Sequence, residues 1–126
     1  MSDVTPGLPA GRKPIEAYGD GGFRIGGQRV EGSLLVFAER AVAWPVVGFA
    51  DVTLESLAEV TAETPAVEIL VVGCGARQMP VPPGLREGLR AAGIVADFMD
   101  TGAACRTFNV LLAENRRVAA ALIAVD

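Results

Sequence analysis

Apolar and polar residues alternate over short stretches in the first third of the chain, then give way to a longer period. Ile15 to Tyr18 reads as a short extended segment, and Gly19-Asp20-Gly21-Gly22 as a turn whose glycines can take positive φ. Phe23-Arg24-Ile25 alternates as a half-buried strand does, Gly26-Gly27 is a two-residue hairpin signal, and Gln28 to Val30 returns. Ser33 to Ala38 is a nearly continuous apolar strand. Glu39-Arg40 turns the chain into Ala41 to Trp44, and Pro45, which has no N–H for a ladder, ends that strand.

Beyond Pro45 the period changes. Thr53 is placed to cap a helix from about Leu54 to Ala62, with Val52 and Leu57 spaced as a hydrophobic staple and Pro65 closing the region. Val67 to Val72 is apolar on both faces, which suits a strand covered on both sides. Gly73-Cys74-Gly75 follows as a tight turn. Pro82-Pro83 can open a helix on which Leu85, Leu89 and Ala92 share a face, with Gly93 and Ile94 as its C-terminal signal. Ile94 to Phe98 is the next strand. Asp100 or Thr101 caps a helix to about Asn115, and Arg117 to Val125 is a final strand whose alanines also fit a helix. The order is β-hairpins, then α-β-α-β-α-β, and the unit Val67–Phe98 should be parallel and right-handed. The expected fold is α/β, one domain over residues 15–126. It has a central mixed β-sheet with helices packed on it and an N-terminal β-hairpin layer. Residues 1–14, rich in proline and glycine, are expected to form a flexible N-terminal tail.

Composition narrows the chemistry. At 126 residues and 51% hydrophobic, the chain suits one packed core. A formal charge of −4 argues against nucleic acid as the partner, because phosphate binding needs a basic face. There is no histidine, which removes the commonest general base and metal ligand. Cys74 and Cys105 alone cannot build a structural zinc site, and neither a metal nor a cofactor is expected. Reduced thiols in a cytoplasmic protein are the expectation for them. No run reaches the roughly 18 apolar residues of a membrane span, and Met1 to Pro14 has no signal core and only two basic residues, unlike a transit peptide.

The place for a ligand in such a sheet is the crevice at the carboxyl ends of parallel strands. There the turn Gly73-Cys74-Gly75 would meet the corner Met99-Asp100-Thr101, and the helix from Thr101 would direct free N–H groups into the crevice. Gly73, Gly75, Asp100, Thr101 and Arg106 are therefore candidate crevice residues for an anion or a partner. The same positions also read simply as a cap, a turn and a solvated charge. By helix angle, Ala104, Cys105, Phe108, Leu111 and Leu112 share the apolar side, leaving Arg106, Thr107 and Asn109 for recognition. Cys74 and Cys105 are a candidate redox pair, although they lack the C-x-x-C spacing. Gly73-Cys74-Gly75 begins like a dinucleotide fingerprint, but Gln78 stands where the third glycine belongs. No G-x-S-x-G elbow or phosphate loop is present. Trp44-Pro45 and Tyr18 read as core or rim packing.

Trp44-Pro45, Glu68 to Val72 with Gly73-Cys74-Gly75, Gly93-Ile94, Met99-Asp100-Thr101, Ala103 to Asn109 and Val118 to Leu122 occur in this order. The set resembles the DUF498/DUF598 family, which includes the mitochondrial respiratory complex I assembly factor 3. The likeness runs from about Ile15 to the C-terminus. It implies a single-domain α/β fold, protein partners and no established catalysis. The resulting expectation is a non-enzymatic interaction or assembly-factor-like module in the bacterial cytoplasm. The alternative is a small-molecule or anion-binding protein, conceivably an enzyme, using the Gly73–Gly75 and Thr101 crevice. Free hairpin edges and the apolar balance also admit a homodimer.

Overall fold

A computed structural model of the chain describes residues 13–126. The expected tail therefore lies outside the described residues except for Lys13 and Pro14, and the Lys13 N–H donates to the Ala38 carbonyl. Three strands, β1 (Ile15–Gly19), β2 (Gly22–Ile25) and β3 (Gln28–Glu31), form an antiparallel meander. Gly26 and Gly27 join β2 to β3 with φ of +60° and +80°, the positive pair that a two-residue hairpin matched to strand twist requires.

The central sheet holds β4 (Leu34–Val36), β5 (Ala41–Ala43), β6 (Ile69–Gly73), β7 (Val95–Met99) and β8 (Val118–Leu122), in the order β5-β4-β8-β6-β7. β4 pairs antiparallel with β5 and β8, whereas β6 pairs parallel with both β7 and β8. The expected mixed sheet with a separate hairpin layer is thus present. The second hairpin, β4–β5, belongs to the central sheet rather than to the layer above it. The alanine-rich C-terminal run is a strand in mid-sheet, with every residue of β8 buried. Alanine suits a strand pressed from both sides, because larger side chains on both facing layers then fill the space.

Three α-helices flank these sheets among the described residues: α1 (Ala58–Thr61), α2 (Leu85–Ala91) and α3 (Thr101–Ala113). The helix expected over Leu54–Ala62 is divided into a 3₁₀ turn, Glu55–Leu57, and the single turn α1. Its entry is tied by side chains: Thr53 Oγ1 accepts from the Ser56 N–H at 3.1 Å, and Ser56 Oγ accepts from the Thr53 N–H at 3.0 Å. Such local side-chain bonds compete with regular α-helix. α2 begins after Gly84, not at Pro82-Pro83, and only Leu85 and Leu89 face the core; Ala92 is exposed because the helix has already ended there. Gly93 (φ +83°) and Ile94 close α2 by donating to the carbonyls of Arg90 and Leu89, the paired bonds of a left-handed cap. Asn115 (φ +61°) ends α3 in the same way.

The central sheet separates two cores. One holds Trp44, Phe49, Leu57, Leu70, Val72, Leu89, Phe98, Ala119 and Ala121, under α1 and α2. The other holds Phe23, Ile25, Leu34, Val36, Val71, Phe108, Leu112 and Ala120, with α3 between the central sheet and the meander. No helix among the described residues is long and apolar enough to cross a membrane.

Candidate functional site

The strand ends β6 and β7 do bring Gly73, Cys74 and Gly75 against Met99, Asp100 and Thr101. The Cys74 N–H donates to the Met99 carbonyl at 2.7 Å, and the Thr101 N–H to the Gly75 carbonyl at 2.8 Å. Thr101 Oγ1 donates to the Ile123 carbonyl at 2.7 Å and accepts from the Gly75 N–H at 3.0 Å. The Ile123 N–H in turn donates to the Gly73 carbonyl at 3.1 Å. A Cβ on Gly73 would stand 2.9 Å from Thr101 Cα, so glycine is what allows the approach. The N-cap of α3 is Asp100, whose carboxylate accepts from the Ala103 N–H at 2.9 Å. Thr101 is fully buried.

At this corner the candidate crevice groups bond to one another. The corner is closed on itself: the groups of Gly73, Gly75 and Thr101 that were to meet a ligand are spent on each other and on Ile123, and Asp100 occupies the helix end.

The remaining candidates separate. Thr107 is half-buried, with Oγ1 3.4 Å from Met99 Sδ. Asn109 is committed within the chain: Nδ2 donates to the Ile15 carbonyl and Oδ1 accepts from the Ile15 N–H, both at 2.8 Å. One amide thereby replaces a strand partner and pins β1 to α3. Asn109→Ala should cost about 1–3 kcal/mol, since it strands both backbone groups of Ile15. Hydrogen exchange should locate the loosening in β1, and unchanged protection of β1 would contradict the clamp.

Arg106 is exposed, one turn into α3, with its guanidinium 3.5 Å from Tyr18 Oη. Together with Ile15, Glu16, Ala17, Tyr18, Cys105 and Asn109 it borders an open cleft of about 430 Å³ between β1 and α3. Tyr18, read above as packing, lies across the start of the helix. A Cβ on Gly102 would stand 2.8 Å from Tyr18 Cζ, so a larger residue there would push the ring from its present place. A glycine in the first turn of an otherwise good helix is the sequence signal for such a close approach.

The two candidate redox cysteines sit in different cores. Cys74 belongs to the core under α1 and α2, Cys105 to the core around α3, and the central sheet lies between them. Both are free and buried. Burial, the main cause, raises the Cys74 thiol above its ordinary value. At Cys105 burial outweighs the lowering effect of Arg106 and pushes the thiol up to about 12. An acid whose native value is raised keeps its proton after the unfolded chain has lost it. Stability from Cys105 is therefore complete below pH 9.0, the ordinary thiol value, and falls as pH rises toward about 12. In the folded protein at pH 8 neither thiol should react with iodoacetamide within the time that labels an unfolded control. Rapid labelling of Cys105 in the native state would contradict this burial.

Among the described residues, no cluster of three or more Asp, Glu, Cys or His side chains could hold a metal ion. Residues 15–123 match the family described as "Protein of unknown function (DUF498/DUF598)". The chain is 44% identical over 123 residues to an uncharacterised protein of Rhodobacter capsulatus, covering 98% of this chain and 93% of that one. It is 40% identical over 109 residues to the NADH dehydrogenase [ubiquinone] 1 alpha subcomplex assembly factor 3 of Xenopus tropicalis. That match takes in 86% of this chain but only 60% of the assembly factor's length. The fold is similar to the crystal structure of a protein described as an outer membrane protein from Bartonella henselae. The TM-score is 0.85 at 42% identity, over 94% of this chain and 99% of that one. Family match, sequence relatives and shared fold agree, and the chain belongs to the DUF498/DUF598 family.

Proposed function

We propose that this chain is a non-catalytic protein-interaction module of the assembly-factor type, working in the bacterial cytoplasm without a cofactor. The observation that carries the reading is its 40% identity, across nearly the whole described domain, to a relative named as an assembly factor for NADH dehydrogenase. The geometry is in keeping with it. The corner that could have been an active site is spent on internal bonds. Both thiols are buried. The exposed side of α3 at Arg106, next to Tyr18, supports the reading as a surface open to a partner.

Deletion of the gene in the native host tests this reading. Native gels of respiratory membranes should then show less assembled NADH dehydrogenase, restored by the wild-type chain. An unchanged amount of assembled complex would rule out the assembly role.

A further inference from the structure

The cleft between β1 and α3 differs from a second groove in how its charges are used. The second groove, about 370 Å³, is lined among others by Phe37, Arg40, Glu63, Pro65 and Arg117. Its arginines are satisfied within the chain: Arg40 pairs with Glu63 at 2.7 Å, and Arg117 with Glu68 at 2.6 Å. Arg106 has no such carboxylate among the described residues. A guanidinium carries five N–H donors in a planar fork that matches a carboxylate. Among the described residues, Arg106 reaches one side-chain acceptor, Tyr18 Oη, at a long 3.5 Å. The acid that lines the cleft, Glu16, accepts from the Gly27 N–H at 2.9 Å.

The walls are held in advance. Asn109 ties β1 to α3 through Ile15, and Gly102 seats the Tyr18 ring on the first turn of the helix. Such preorganisation lowers the entropy lost on binding. One turn beyond Arg106 on the helix, Val110 is 57% exposed, an apolar position next to the charged one. An arginine and a tyrosine beside an apolar side chain are the residue types that dominate protein interfaces.

We propose that this cleft docks a segment of a protein partner that presents an aspartate or glutamate side chain to Arg106 and Tyr18 Oη, with apolar neighbours laid along Val110. The proposal rests on the interaction reading above and specifies its chemistry. Charge complementarity selects the occupant: an unspent guanidinium and a phenolic hydroxyl in one cleft match a carboxylate, and the Val110 face matches the apolar flank of a peptide.

The test is a titration of the isotope-labelled full chain with acetyl-Leu-Glu-Leu-amide, followed by NMR, with acetyl-Leu-Gln-Leu-amide as the neutral partner. The glutamyl peptide should bind about tenfold more tightly than the glutaminyl one, shifting the signals of Tyr18, Arg106 and Val110. Arg106→Gln should remove that preference, Arg106→Lys should restore part of it, and Tyr18→Phe should reduce it while keeping the ring over Gly102. Equal binding of the two peptides, or shifts that map away from the cleft, would overturn the proposal. So would displacement by equimolar inorganic phosphate, or shifts that follow protein concentration alone and mark a second copy as the occupant. If the deletion phenotype is present while the glutamyl peptide gives no response, the carboxylate assignment fails and the interaction role stands.

Discussion

Thr101→Val should destabilise the protein by about 2–4 kcal/mol, although the two side chains are nearly the same size. The hydroxyl is fully buried and serves two backbone groups at once, accepting from Gly75 and donating to Ile123. Valine fills the space but leaves the Gly75 N–H and the Ile123 carbonyl with no replacement from water. Thr101→Ser, which keeps the hydroxyl, should recover most of the loss. Urea unfolding of the three proteins checks this. A loss below about 1 kcal/mol in the valine variant would mean that the corner is held by its backbone bonds alone.

Phe108→Ala should cost more, about 3–5 kcal/mol. Phe108 is fully buried on α3, in the core that joins Phe23 and Ile25 of the meander to Leu34, Val71 and Ala120 of the central sheet. Its removal empties the middle of a three-layer contact, and neither sheet can move in without breaking its own ladder. The damage should be directional. Amide protection should fall first in β1–β3, which meet the rest of the chain chiefly through this core and the Asn109 clamp, and only later in β6 and β8. Uniform loss across both sheets, at the same total cost, would show that the meander is not a separable layer.

Local signals in the sequence were enough for the parts of the fold that local signals control. Gly26-Gly27 marked its hairpin, Gly93-Ile94 marked the end of α2, and the parallel β6–β7 pair followed from a strand, a helix and a strand in succession. Strand order was not local. β8, last in sequence, lies between β4 and β6, and its alanines resolve as strand only because both faces are covered. The cysteines could have been separated earlier by parity. Cys74 continues the face of Leu70 and Val72, whereas α3 packs on the face of Val71.

The candidate site was legible in place but not in state. The residues at the two strand ends do meet, yet the carbonyl of Ile123 and the hydroxyl of Thr101 close the corner, and no local pattern shows that a hydroxyl is already spent. Asn109 could not be assigned from spacing, because its partner Ile15 is 94 positions away. Tyr18 is 88 positions from Arg106, and only the glycine at position 102 hinted at a ring lying on the helix. Within Met99–Asn109 the exposed side chain is Arg106.

The most direct test compares affinity capture by the wild-type chain and by Arg106→Glu, each expressed in the native host at equal level and matched in thermal stability. Arg106 is exposed, so the charge reversal should leave the fold intact. The expected result is a defined set of protein partners on the wild-type chain that is absent from the variant. Equal recovery of the same partners on both would contradict docking through the Tyr18–Arg106 cleft.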